Sequence, residues 1–174
     1  APGDVYSEPA ALAISSHGDY VAAAFRCITE NAGEPGTIWM KSLQSGETAK
    51  INTDLRDVEL QFSPDGTLLL VSNQRSLQLY QVPSGDLVAQ RTIDQLTSGV
   101  FSKDGGEILT VGDDGLLQVW STSDLSLVRS VQAHDIAARD VDVSPDGRTI
   151  ATVGFDGRLK FWRYSVLELS AEIQ

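Results

Sequence analysis

Short runs along this chain alternate between apolar and polar positions. "VELQF" sets Val58, Leu60 and Phe62 on one side with Glu59 and Gln61 on the other, and "LLQVW" (116–120) and "RLKFW" (158–162) alternate in the same way. A period of two is the signature of a β-strand with one buried face. β-Branched and aromatic residues are plentiful, and no helical stripe persists beyond a turn. The alternation predicts an all-β chain.

Asp-Gly pairs punctuate these runs. The stretch "VSPDGRTIATVGFDGRLKFW" (143–162) has a close echo in "FSKDGGEILTVGDDGLLQVW" (101–120), each with two Asp-Gly turns and a closing Trp. Asp tolerates positive φ and Gly adopts it without steric cost, which is what a tight hairpin requires. Two turns per unit predict three antiparallel strands. The segments after the Trp position, "LVAQ" and "LSLVRSV", supply a fourth.

The unit recurs with a period of about forty residues. Gly18, Gly66, Gly105 and Gly147 mark the first turn of each copy at spacings of 48, 39 and 42, and Lys41, Tyr80, Trp120 and Trp162 mark a second anchor at spacings of 39, 40 and 42. The first copy is longer between its anchors, within "RCITENAGEPG" (26–36). Four strands in so short a unit cannot bury both faces of their own sheet, so neighbouring units must stack. The expected fold is a β-propeller of four-stranded antiparallel blades, with four blades at approximately 10–50, 56–90, 95–131 and 137–170 in a single partial domain, 1–174. A β-sandwich of eight or more strands is the alternative, but it would not need the repetition.

The residues at these positions resemble the WD-repeat family of β-propellers, whose blade carries a His near its start, a Ser or Thr on the second strand, an Asp in the next turn and a Trp on the third strand. The fourth unit has all four, as His134, Thr152, Asp156 and Trp162. The third keeps Thr110, Asp114 and Trp120, with Thr92 near the His position. The second has Tyr80 for Trp, Thr53 near the His position and "NQRS" in place of the Asp-Gly turn, and the first has little beyond its strands and Gly46. The resemblance implies that His, Thr, Asp and Trp form a hydrogen-bonded network inside the blade, a chain their donors and acceptors can satisfy. A catalytic reading of His134 with Asp156 lacks a partnered nucleophile. The resemblance also implies a ring of seven or eight blades. The remaining blades would come from a longer parent chain, which the non-initiator start at Ala1 favours, or from a second copy in a head-to-tail dimer; a self-contained four-bladed ring is the third reading. "GDVYS" (3–7) is a candidate outer strand for a closing blade.

Composition narrows the function classes. Thirteen Lys and Arg against 24 Asp and Glu leave a formal net charge of −11, which repels nucleic-acid phosphates and anionic membranes. Nothing reaches the apolar length of a membrane span. With one cysteine, Cys27, and two histidines, His17 and His134, no zinc or haem-attachment spacing exists. The compartment stays open between the cytoplasm and export as a mature chain. No catalytic residue, cofactor or metal is expected.

The function implied is a non-catalytic scaffold that binds proteins or peptides through loops on one propeller face, as a subunit of a larger complex. The candidate partner-binding residues are Arg56, Thr97 and Arg139 at the starts of first strands, and Asn73, Asp113 and Phe155 before the turn Asp positions. Phe155 stands out as an aromatic beside a polar turn. The loop "ITENAGEPG" (28–36), with Glu30 and Glu34, is a second candidate contact, although its two carboxylates make a poor metal site. The rival class is a propeller domain of a redox enzyme or hydrolase, or an accessory subunit of a redox complex. The chain has no CxxCH motif, no GxSxG elbow and no phosphate-cradling glycine loop; "GEPGT" (33–37) is a lone Gly-Pro turn.

Overall fold

The computed structural model describes residues 6–28, 36–53 and 57–174. Among them the only regular elements are β-strands, sixteen in number, forming four four-stranded antiparallel sheets. The first sheet runs β1 (Tyr6–Ile14), β2 (Tyr20–Ile28), β3 (Gly36–Ser42), β4 (Thr48–Thr53), and the second β5 (Glu59–Phe62), β6 (Leu68–Asn73), β7 (Ser76–Gln81), β8 (Leu87–Thr92). The third runs β9 (Leu96–Phe101), β10 (Glu107–Gly112), β11 (Leu116–Ser121), β12 (Leu127–Gln132), and the fourth β13 (Ala138–Val143), β14 (Thr149–Gly154), β15 (Leu159–Arg163), β16 (Glu168–Ile173). Each sheet is a meander in chain order, the architecture of propeller blades. The chain divides into two compact units, Ala1–Asn73 with Gln78–Val88, and Gln74–Leu77 with Ala89–Gln174.

The repeated Ser-x-Asp-Gly sequence closes the first hairpin of three sheets with its own side chains. Ser63 Oγ donates to Asp65 Oδ1 at 2.6 Å, and Ser102 to Asp104 and Ser144 to Asp146 do so at the same distance. Each serine oxygen also accepts the backbone N–H that starts the next strand, from Leu68, Glu107 and Thr149. Gly66, Gly105 and Gly147 follow at φ of 73°, 75° and 71°, where a side chain would be strained. A local hydrogen-bond circuit of this kind explains why the tetrapeptide recurs. The degenerate first copy keeps part of it: Ser15 Oγ accepts from Asp19 N and Tyr20 N.

In the first unit Ala22, Ala24, Ile38, Met40 and Ile51 of the first sheet share a core with Phe62, Leu69, Val71 and Tyr80. In the second, Leu109, Val111, Leu117 and Val119 share a core with Val141, Ile150 and Trp162. The opposite faces of the two terminal sheets are also apolar yet exposed: Leu12, Ile14 and Trp39 on the first, Val153 and Ile173 on the fourth. Lys41, aligned with the buried Trp120 and Trp162, lies on that open face of the first sheet, where a lysine costs nothing. Of "GDVYS", residues 3–5 lie outside the described residues, and Tyr6 and Ser7 begin β1, the first strand of its sheet.

Candidate functional site

In an antiparallel meander the chain reaches the first strand at the same end at which it turns from the second strand to the third. The topology therefore gathers the β8–β9, β10–β11, β12–β13 and β14–β15 connections at one end of the third and fourth sheets. Thr97, Asp113, Arg139 and Phe155 all fall there. Asn73 ends β6 in the other compact unit, and Arg56 lies outside the described residues, as do Glu30 and Glu34.

Two of these residues are placed by a defect in the pairing. In β9 the register steps from Leu96–Gly112 to Ser98–Val111, and in β13 from Ala138–Gly154 to Asp140–Val153. Thr97 and Arg139 are the extra residues of these bulges, and a bulge re-aims the side chain it carries. Thr97 turns its hydroxyl onto the carbonyls of Val111 at 3.0 Å and Ala138 at 2.7 Å, tying β9 to β10 and to the start of β13. Arg139 turns outward, its guanidinium carbon 4.9 Å from the centroid of the Phe155 ring and its Nη1 3.8 Å from Asp113 Oδ1.

The backbone holds this trio in place. Phe155 N donates to Ala137 O at 2.9 Å, and Asp113 N donates to Gln95 O at 2.8 Å, where Gln95 takes φ of 65°. Phe155 is 65% exposed. Beside the trio runs a groove of about 710 Å3, lined by Gln74, Arg75, Asp94, Gln95, Asp113 and Arg139 among others. The turn before it lacks glycine, yet the two-residue turn at Gln74 and Arg75 closes because their carbonyls accept from Leu96 N and Ile93 N.

The residues expected to form the blade network sit behind this end. His134 is fully buried; its Nδ1 lies 2.9 Å from Asp156 Oδ1 and its Nε2 2.9 Å from Thr152 Oγ1, which also accepts from Trp162 Nε1 at 3.0 Å. The donors run from Trp162 through Thr152 and His134 to the Asp156 carboxylate. Burial opposes ionisation of Asp156, but the hydrogen bonds from His134 and from the Arg158 N–H outweigh it and hold the carboxyl below its ordinary value. Both ring nitrogens of His134 are occupied, so no nitrogen faces a substrate.

The third sheet keeps only part of this chain. Trp120 Nε1 donates to Thr110 Oγ1 at 2.8 Å, while Thr92 is exposed at the end of β8 and the exposed Asp114 accepts only from the Leu116 N–H among side-chain bonds. In the second sheet a residue that sequence reasoning missed takes over. Gln78 Oε1 accepts from Tyr80 Oη at 2.8 Å and from Thr53 Oγ1 at 3.4 Å, a buried polar link in place of His and Trp. An amide among the alternating positions of β7 was its only signal.

At the opposite end of the third and fourth sheets a second polar cluster is closed on itself. Glu107 accepts from both Tyr164 Oη and Arg129, and Arg129 also donates to the carbonyls of Tyr164 and Ser165. Burial and the bond to Glu107 raise the Tyr164 phenol. Those donors are spent within the fold. The Arg139 guanidinium, by contrast, makes no hydrogen bond among the described residues.

Compared with known families, residues 125–163 match the model described as "WD domain, G-beta repeat", a span that runs from just before β12 to the end of β15. WD40 repeats generally serve as protein-interaction scaffolds that bind proteins or peptides, and such domains are typically non-catalytic.

Proposed function

Given a chain with the repeat of WD-type β-propellers, folded as four-stranded blades, we propose that it is a non-catalytic subunit of a larger complex, holding a partner protein at the loop end of its third and fourth sheets. The observation that supports this reading most directly is the exposed Phe155 ring with Arg139 laid across it at the rim of a groove. Aromatic and arginine side chains supply a disproportionate share of interface energy. Loops on a rigid sheet scaffold are also where recognition chemistry concentrates.

The exposed apolar faces of the first and fourth sheets support a further part of the reading. Contiguous apolar sheet faces are normally covered. Here the cover is other blades, supplied by a second copy or by the same parent chain.

Affinity capture from the source cells, with the native chain and with Phe155→Ala, tests the proposal. The reading expects a specific partner to be lost from the Phe155→Ala sample and retained by Lys103→Ala, an exposed residue in the turn at the other end. Retention by both variants would remove the loop end from consideration.

A further inference from the structure

Arg139 is an unsaturated donor fork on a fixed mount. Its backbone sits in a bulge, its guanidinium carbon lies over the Phe155 ring at 4.9 Å from the centroid, and the nearest carboxylate, Asp113, stands at 3.8 Å, beyond hydrogen-bond reach. Half of its side chain is open to solvent. Arg158 at the same end and Arg129 at the opposite end both donate to carboxylates or carbonyls within the fold.

A guanidinium placed over an aromatic ring keeps its N–H groups available, and a free pair of them takes a carboxylate through two parallel bonds. At the same end are two exposed apolar side chains, Phe155 and Ile136, on adjoining loops linked by the Phe155 N–H to Ala137 carbonyl bond. The groove of about 710 Å3 has the size of a pocket that admits several side chains.

We infer that this end recognises an extended peptide segment in which an Asp or Glu stands next to a bulky apolar residue, the carboxylate on Arg139 and the apolar side chain against Phe155 and Ile136. The inference rests on the loop-end reading above and adds the partner's chemistry. A basic segment fits less well, because Arg139 already covers one face of the Phe155 ring and what lacks a partner is a donor. A phosphorylated residue brings close to two negative charges beside Asp113 and Asp94, where a single carboxylate brings one. On this account Asp113 competes with the incoming acid for Arg139.

Selection of a random twelve-residue peptide library on the intact chain, followed by fluorescence anisotropy with the enriched peptides, tests this. Expected are sequences pairing Asp or Glu with Leu, Ile, Met or Phe. Their affinity should fall about tenfold or more in Arg139→Gln, less in Arg139→Lys, and rise severalfold in Asp113→Asn. Changing the peptide's acid to its amide should cancel the effect of Arg139→Gln.

Enriched peptides of basic or uncharged composition that still need Phe155 would overturn the acidic preference and leave the loop-end reading standing. So would weaker binding in Asp113→Asn. Peptides indifferent to both Phe155→Ala and Arg139→Gln would contradict both readings, and failure to enrich any sequence would overturn the inference alone. Far-ultraviolet circular dichroism of each variant confirms that it is folded; Arg139, Asp113 and Phe155 are all exposed.

Discussion

Arg139 lies over the ring of Phe155, guanidinium carbon to centroid 4.9 Å; Phe155 stands in the turn after β14 and Arg139 occupies the extra position of a β-bulge in β13. The pair stands at the open rim of a groove, while the nearby His134, Thr152 and Trp162 are sealed within the blade. The fourth sheet thus carries an exposed pair at its loop end and a buried hydrogen-bonded chain within. The division makes different predictions for each set.

Substitutions in the buried chain should cost stability. His134→Ala strands the Thr152 hydroxyl and the Asp156 carboxylate, and leaves a cavity; a loss of about 2–4 kcal/mol is expected. Phe155→Ala and Asp113→Ala should stay within about 0.5–1 kcal/mol of the parent. Urea denaturation midpoints measure both, and a His134→Ala midpoint equal to that of Asp113→Ala would refute the network's structural role.

Gly154 should be irreplaceable for a different reason. A Cβ there would lie 2.6 Å from Cγ and Nδ1 of His134, a ring held on both sides by hydrogen bonds. Gly157, three residues on, has φ of 74° but open space around it. Gly157→Ala should therefore cost roughly 1 kcal/mol from backbone strain alone, and Gly154→Ala clearly more. Thermal melts of the two variants side by side decide the order.

The Ser-x-Asp-Gly turns should fail in acid. Asp65, Asp104 and Asp146 are held below the ordinary 3.8, first by the hydroxyls of Ser63, Ser102 and Ser144. A carboxyl depressed in the folded state stabilises it fully above the unfolded value and loses that contribution as pH falls through the folded one. The fold should weaken below pH 3.8, and replacing the three serines with alanine should flatten that decline. An equally steep decline in the triple variant would contradict the assignment.

Tyr164 carries the opposite sign. Burial and then the bond to Glu107 raise its phenol above the ordinary 10.0, so its contribution is complete below pH 10 and is lost as pH rises through the folded value. Ultraviolet titration of the four tyrosines should show one ionising last, and Glu107→Gln should bring it down. No late tyrosine, or none that responds to Glu107→Gln, would count against the Glu107 contact.

Much of this was legible in the sequence because it is local. The Ser-x-Asp-Gly circuits close within five residues, so the repeat and the strand meander follow from the tetrapeptide and the period-two runs. The Trp162, Thr152 and His134 chain was expected only through the resemblance to WD repeats, since of the four units the fourth alone carries the His. The bulges at Thr97 and Arg139 were not, since a bulge is a property of the register between strands. Consequently the sequence could nominate both residues for the same role, yet one tethers backbone carbonyls and the other faces outward. Gln78 was passed over for a related reason: only the packing tells which face of a strand is covered.

The most direct test of the central claim is photo-cross-linking. A benzophenone-bearing residue introduced at position 155, and separately at 103 in the turn at the other end, is irradiated in the source cells and the adducts are identified by mass spectrometry. The account predicts a discrete protein adduct from position 155 that position 103 does not give. Adducts from position 103 alone, or the same adduct from both, would contradict it.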